Sequence, residues 1–317
     1  MEGKKLTLND IAKLSGVSKS TVSLVINNSP KVKKSTLDHV QSVIRQYGFT
    51  PSKAAQSLRG QREKIIGIIV TRLDSASENQ AVQTILPHVY QHGYDALIME
   101  TLLQPERLEE HLKVLENRQV EGVIIFGFTG IASTMLRQWK DRVVLIESEL
   151  SGFPRVRYDG AGAVRMLMQR MVHNGAENVS FIGVAEKDKT TGSERYQAYL
   201  QGCEQFGFIP RAALGNLTYQ SGYQLAAEIV NAETRALICA TDTIALGAIK
   251  FIREKNFNIE IGSIGSIPLL SFLFPEVISV RLGYPDAGRE AIQLLIALLN
   301  GNVEKKKIVI PCQFVAQ

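Results

Sequence analysis

The sequence predicts two domains of different class: a small all-α helix-turn-helix head and a larger α/β body made of two subdomains. Three observations predict this. Residues 1 to 60 hold ten Lys and Arg against three acids, a net +7, whereas the remaining 257 residues hold 26 against 28, a net −2. The stretch "LTLNDIAKLSGVSKSTVSLVINN" folds two short amphipathic patterns around one glycine. From Lys64 onward, short apolar runs alternate with helical segments.

The head comes first in the chain. Leu8, Ile11, Ala12 and Leu14 recur at helical spacing after Thr7 and Asn9, residues suited to a helix start. Ser15, Gly16 and Val17 break that pattern, and a second helix begins with Ser18 as N-cap and with Val22, Val25 and Ile26 facing inward. Two such helices joined by a glycine turn make a helix-turn-helix, whose second helix can enter a major groove. Its outer face is expected to carry Lys19, Ser20, Ser23 and Leu24. A third helix over Ser35 to Tyr47 turns Leu37, Val40, Val43 and Ile44 inward and completes the core. The concentrated positive charge implies a polyanionic partner.

In the body, "IIGIIV", "ALIME", "GVIIFG", "VVLIES", "NVSFIGV", "ALICAT" and "IGSIGSI" read as buried strands, and "KKKIVIPCQFVAQ" as a last one. "QAVQTILPHVYQHG", "LEEHLKVLENR", "GAVRMLMQRMVHNG" and "GYQLAAEIVN" read as helices between them. Near-continuous apolar strands with helical crossovers imply parallel sheets covered on both faces. More than ten elements exceed one compact sheet, so two subdomains are expected, with the chain crossing near Tyr158 and near residue 285. The domain boundaries are therefore 1–60 and 61–317, with a connecting segment at about 51–60.

Composition excludes several classes. No run of about 18 apolar residues could span a bilayer. The N-terminus lacks the apolar core of a secretion signal, so a cytoplasmic protein is expected. Three cysteines, Cys203, Cys239 and Cys312, lack the paired spacing of a zinc or dithiol site and read as core residues. The five histidines, at 39, 88, 92, 111 and 173, sit in helical patterns without metal or triad spacing. "GSIGSI" lies inside a strand and opens no helix, so it is no nucleotide loop. No catalytic residue, no metal site and no cofactor is expected, and the protein reads as a non-enzyme.

In open α/β sheets ligands sit at the carboxyl ends of strands. The loops there bring Arg72 and Glu78, then Gly127, Phe128 and Thr129, then Ser148 with Glu147 and Glu149. In the second half they bring Lys187, Asp188, Thr190, Thr191 and Arg195, then Asp242 and Thr243, and Tyr284. Arginine forks, carboxylates and hydroxyls converging on one cleft suit a sugar, whose hydroxyls both donate and accept.

"LNDIAKLSGVSKSTVSLVINN" followed by "YGFTPSKAAQSLRG" resembles the LacI/GalR family of bacterial transcription factors. The resemblance implies a lambda-repressor-like head joined to a periplasmic-binding-protein-like effector domain, acting as a homodimer on palindromic operator DNA. It also implies that Lys19 and Ser20 face base edges, that Thr7, Ser18, Thr21, Ser23 and Asn27 sit on the DNA-binding face, mainly at phosphates, and that Leu58 wedges into the minor groove from a hinge helix. The family usually has arginine where this chain has Leu24. An arginine there can fork onto guanine, whereas leucine can touch only a thymine methyl.

"VTRLDSxSENxAVQTxLP", "FGFTG", "TTG" and "CATDTxALGA" resemble the trehalose-responsive branch of the family. That implies a repressor of a trehalose operon, released by the effector trehalose 6-phosphate, with Arg72 holding the phosphate; another sugar or sugar phosphate is the alternative. Relatives in this branch are expected to carry a second arginine after the fourth strand, where this chain has Ser148 between two acids. Lys187 and Lys189 are candidates to compensate.

Overall fold

The computed structural model describes residues 6–26, 29–49, 64–302 and 306–315. The expectations placed on Asn27, on Leu58 and on the segment 51–60 lie outside the described residues. The chain divides into two compact units, Met1–Glu63 and Lys64–Gln317.

The first unit holds α1 (Leu8–Ser15), α2 (Lys19–Ile26) and α3 (Lys34–Gln46). Thr7 starts α1 with a capping box: its hydroxyl accepts the Asp10 N–H at 3.3 Å while the Asp10 carboxylate accepts the Thr7 N–H at 2.8 Å. Two N–H groups at the helix start are thereby satisfied. Gly16 closes the helix in the left-handed region, at φ +64°, a conformation that glycine adopts without steric cost. Ile11, Ala12, Val22, Val25, Val40 and Phe49 form the core. Leu14, one of the apolar residues of the helical pattern, is exposed. The inward place one turn beyond Ile11 falls to Ser15, whose hydroxyl donates to the Ile11 carbonyl at 2.6 Å.

The second unit is built on two six-stranded sheets. The first has the order β11-β5-β4-β3-β1-β2, from β1 (Ile65–Val70), β2 (Asp95–Glu100), β3 (Gly122–Phe126), β4 (Val143–Ile146), β5 (Arg155–Tyr158) and β11 (Lys307–Ile310). The second has the order β12-β10-β9-β8-β6-β7, from β6 (Ser180–Val184), β7 (Arg211–Gly215), β8 (Ala236–Cys239), β9 (Glu260–Gly265), β10 (Ile278–Arg281) and β12 (Gln313–Phe314). Every pairing is parallel except that of β12 with β10.

Helices α4 (Ala76–Gln91) and α5 (Pro105–Asn117) serve the first sheet. Helices α6 (Gly160–His173), α7 (Glu194–Phe206), α8 (Tyr219–Ile229), α9 (Asp242–Glu254) and α10 (Pro268–Leu273) belong to the second. The long α11 (Tyr284–Leu299) returns to pack on α4 and the first sheet. Apolar side chains such as Ile66, Ile68, Ile124 and Val144 are fully enclosed in the first half, as are Ile238, Ile264 and Val280 in the second.

The chain crosses between subdomains at Tyr158–Gly160 and at Arg281–Tyr284. It crosses a third time between Ile310 and Gln313. The sequence reading took "KKKIVIPCQFVAQ" as one strand. Pro311 interrupts it, since proline supplies no ladder N–H, and the chain divides between the two sheets. Cys203 and Cys239 are buried as expected, while Cys312 is only partly so, its Sγ lying 3.5 Å from the Met166 sulfur. Among the described residues no helix is long and apolar enough to cross a membrane.

Candidate functional site

The carboxyl ends of both sheets face one another across a cavity of about 480 Å³, within the usual range for small-molecule sites. From the first subdomain it is lined by Arg72, Glu78, Gly127, Phe128 and Thr129. From the second come Lys187, Asp188, Thr190, Thr191, Arg195, Asp242 and Thr243, and Tyr284 closes the base. Of the sixteen residues that the strand-end loops were expected to bring, fourteen line this cavity, Glu147 among them.

Glu149 and Ser148 are the exceptions. Ser148 is buried, and its hydroxyl accepts the Leu150 N–H at 3.2 Å. The reason lies in the backbone: Glu147 adopts a left-handed φ of +55°, which swings its own side chain to the cavity and packs Ser148 toward Gly127. A Cβ on Gly127 would lie 2.4 Å from the Glu147 carbonyl oxygen and 2.8 Å from the Ser148 Cβ.

Several lining groups also hold the loops in place. One Asp188 oxygen accepts the N–H groups of Thr190 at 3.1 Å and Thr191 at 2.9 Å, forming the tight turn Lys189–Ser193. Asp242 accepts the Ser263 hydroxyl at 2.6 Å and the Ile267 N–H at 2.8 Å. Burial pushes its carboxyl above the ordinary range despite these bonds. Glu78, also pushed up by burial, accepts both the N–H of Thr71, at 2.7 Å, and its hydroxyl.

Arg195, fully within the wall, donates to the Ala240 carbonyl through one terminal nitrogen. Its Nε is buried without a hydrogen-bond partner among the described residues. Glu147 accepts the Tyr158 N–H at 2.9 Å. Burial pushes its carboxyl up to about 7, against the pull of that bond and of Arg157 and Arg195. The rings of Tyr158 and Tyr284, one from each of two crossovers, meet edge to face with centroids 5.0 Å apart.

Three hydrogen bonds span the cleft mouth. Arg72 Nη1 donates to the Leu217 carbonyl at 3.2 Å, the Thr129 hydroxyl donates to the Lys187 carbonyl at 3.1 Å, and the Lys189 N–H donates to the Thr129 hydroxyl at 3.4 Å.

The sequence reading missed Ser75, Ser77, Tyr158, Asn216 and Leu217, all of which line the cavity. Ser75 and Ser77 stand in the same "TRLDSASEN" loop as Arg72, so the loop itself was the signal. Asn216 and Leu217 follow β7, whose half-exposed sequence "RAALG" gives no apolar run.

In the head, Thr7, Ser18, Lys19, Ser20 and Leu24 are exposed. Ser18 accepts the Thr21 N–H at 3.1 Å, capping the second helix as expected. Ser23 is corrected: at 6% exposure it belongs to the inner side of α2, between the core residues Val22 and Val25. The polar outer face is therefore narrower than the periodicity implied, and Leu24, 38% exposed, lies on it.

Residues 7–52 match the model of bacterial regulatory proteins of the lacI family, and residues 162–316 match a periplasmic binding protein-like domain. The chain is 47% identical over 308 residues to the HTH-type transcriptional regulator TreR of Escherichia coli, covering 97% of this chain and 98% of that one. The HTH-type transcriptional repressor PurR of Haemophilus influenzae is 28% identical, with 92% and 90% covered. Among solved structures, the trehalose repressor from Escherichia coli superposes with a TM-score of 0.78 at 45% identity, covering 80% of this chain and all of that one. The lac repressor dimer bound to operator gives a TM-score of 0.86 at 20% identity, covering 99% and 98%, a likeness of fold. A helix-turn-helix head, a two-sheet body with a polar cleft at the strand ends, and near-full-length identity to a transcriptional regulator agree: the chain belongs to the LacI family of bacterial regulatory proteins.

Proposed function

We propose that this regulator represses a trehalose operon by gripping a palindromic operator as a homodimer, and that trehalose 6-phosphate in the cleft releases it. One observation carries the effector reading: Arg72, Ser75, Ser77 and the first turn of α4 converge at one end of a cavity that is otherwise lined for hydroxyls. Backbone N–H groups at a helix start and an arginine fork are both suited to a phosphate. The full-length similarity to TreR and the trehalose repressor of Escherichia coli supports the same reading. The outward-facing Lys19 and Ser20 of α2 are the head's groups for base edges, with Thr7, Ser18 and Thr21 as phosphate contacts.

Coupling is by linkage. A ligand bridging both walls favours the closed cleft, and it can release DNA only to the extent that it binds the released form more tightly.

A second reading, an unphosphorylated disaccharide, is favoured by a specific feature: the loop after β4 brings Glu147 to the wall where a second cation would serve a phosphate, and Ser148 is turned away.

Gel shifts of the full-length protein on its upstream region, with trehalose 6-phosphate or trehalose added, separate the two. Release by the phosphate alone is the expected result. Tighter binding, or no response to the phosphate, overturns it.

A further inference from the structure

Arg157 was not a residue that the cleft called for; it lies on β5, outside the lining. Its guanidinium nevertheless forms ion pairs with Glu149, in the loop after β4, and with Glu194, the first residue of α7. These partners belong to opposite subdomains. Each stands beside a charged residue of the cavity wall: Glu149 is two residues from Glu147, and Glu194 directly precedes Arg195.

We propose that Arg157 is a positioning residue for the effector: by tying the β4 loop to the start of α7, it holds Glu147 and Arg195 at their mutual setting across the cleft. This rests on the reading of the cleft as the effector site. Arg157 does not replace at the ligand the arginine absent at Ser148; from the neighbouring strand it organises the wall instead of touching the ligand.

Three further observations support the assignment. The Arg157 side chain is only 11% exposed and that of Glu194 25%, so this pair is partly shielded from the screening that weakens surface ion pairs, whereas Glu149, at 57%, holds the weaker one. The bridge lies at the hinge itself: a Cβ on Gly160, the first residue after the crossover, would lie 3.1 Å from Arg195 Nε and 3.7 Å from Glu194 Oε1. Finally, without Arg157 the Glu149 and Glu194 carboxylates, on opposite subdomains, would lose the cation they share, and like charges there would oppose closure. A lysine cannot reproduce the fork onto two carboxylates.

The test uses full-length protein with Arg157→Met, Arg157→Lys and Glu194→Gln, the last a same-shape change that removes only one charge. Calorimetry with trehalose 6-phosphate and with trehalose gives the effector affinity, and gel shifts give operator affinity without effector. Arg157→Met is expected to weaken binding of whichever probe the wild type binds by tenfold or more, with ligand-free operator affinity held within threefold. Arg157→Lys should recover part of the loss, and Glu194→Gln should cost much less in the Arg157→Met background than alone. A fold defect would instead lower both affinities together, and Glu194→Gln guards against it.

Spin labels placed at Glu106 on α5 and Gln220 on α8 report the cleft directly, with the distance expected to lengthen in ligand-free Arg157→Met. If the wild type binds neither sugar, the effector reading fails and this distance decides alone. Unchanged effector affinity where the wild type binds, or unchanged distances where it does not, overturns the role of Arg157.

Discussion

Thr129 and Lys187 fasten the two walls of the cleft together. The Thr129 hydroxyl donates to the Lys187 carbonyl at 3.1 Å and accepts the Lys189 N–H at 3.4 Å, so one side chain of the first subdomain uses both of its capacities on a loop of the second. Thr129→Val keeps the shape and removes both bonds. An intramolecular hydrogen bond contributes about 0.5–1.5 kcal/mol net, so the two together contribute about 1–3 kcal/mol. The effector dissociation constant should therefore rise roughly five- to 140-fold, since each 1.4 kcal/mol is tenfold. Calorimetry checks it, and an unchanged constant would mean that these bonds form equally in the open cleft.

Glu147 makes stability depend on pH. Its native carboxyl titrates at about 7 against an ordinary 4.5, chiefly because burial disfavours the charge, with Arg157, Arg195 and the Tyr158 N–H opposing and Glu194 adding to the rise. The native state thus holds the proton more tightly than the unfolded chain. Its contribution is fully present below about 4.5 and is lost as pH rises through about 7. At 1.36 kcal/mol per pKa unit, the loss amounts to as much as about 3 kcal/mol. Denaturation at pH 5 and pH 8 should show Glu147→Gln relatively more stable at pH 8 than wild type, with a flatter profile between. Parallel profiles would contradict the assignment.

Much of this architecture was legible in the sequence because parallel strands buried on both faces write themselves as apolar runs. "IIGIIV" and "GVIIF" are wholly buried strands, and the loops after them carry the cleft residues. β5, "RVRY", alternates between half-exposed and buried positions, so it lacks such a run and went unread, and with it went Arg157. The side-chain placement at Ser148 was illegible for a different reason. A left-handed residue at Glu147 exchanges which of two neighbours faces the cavity, and nothing in a non-glycine residue announces that conformation. Ser23 failed because a small hydroxyl residue fits a helix core as readily as its surface.

Leu24 should set the operator. It stands exposed on the outer face of α2, beside the groups expected at base edges. Leucine offers no hydrogen bond, so the wild type should tolerate several bases at the pair it faces, or favour thymine through its methyl group. Leu24→Arg should shift that one position toward guanine, since a good bidentate pair discriminates by about 1–3 kcal/mol. Selection from a randomised operator library reads this position by position; identical preferences for the two proteins would show that Leu24 faces no base.

Arg72 offers the sharpest distinction between the two effector readings. Its guanidinium already donates to the Leu217 carbonyl at 3.2 Å and lies 3.7 Å from the Asp74 carboxylate, an exposed partner that water can replace. Nitrogen positions remain for a ligand oxygen, and Ser75, Ser77 and the start of α4 lie alongside. Losing a hydrogen bond to a charged group costs about 1.5–3 kcal/mol, which corresponds to roughly ten- to 150-fold in affinity. Arg72→Gln should therefore weaken trehalose 6-phosphate by that factor while changing trehalose far less, because the Leu217 contact is lost for both ligands but the phosphate contact for only one. Equal losses for the two sugars would reduce Arg72 to a clasp of the cleft and place the phosphate, if one binds, beside Lys187 on the opposite wall.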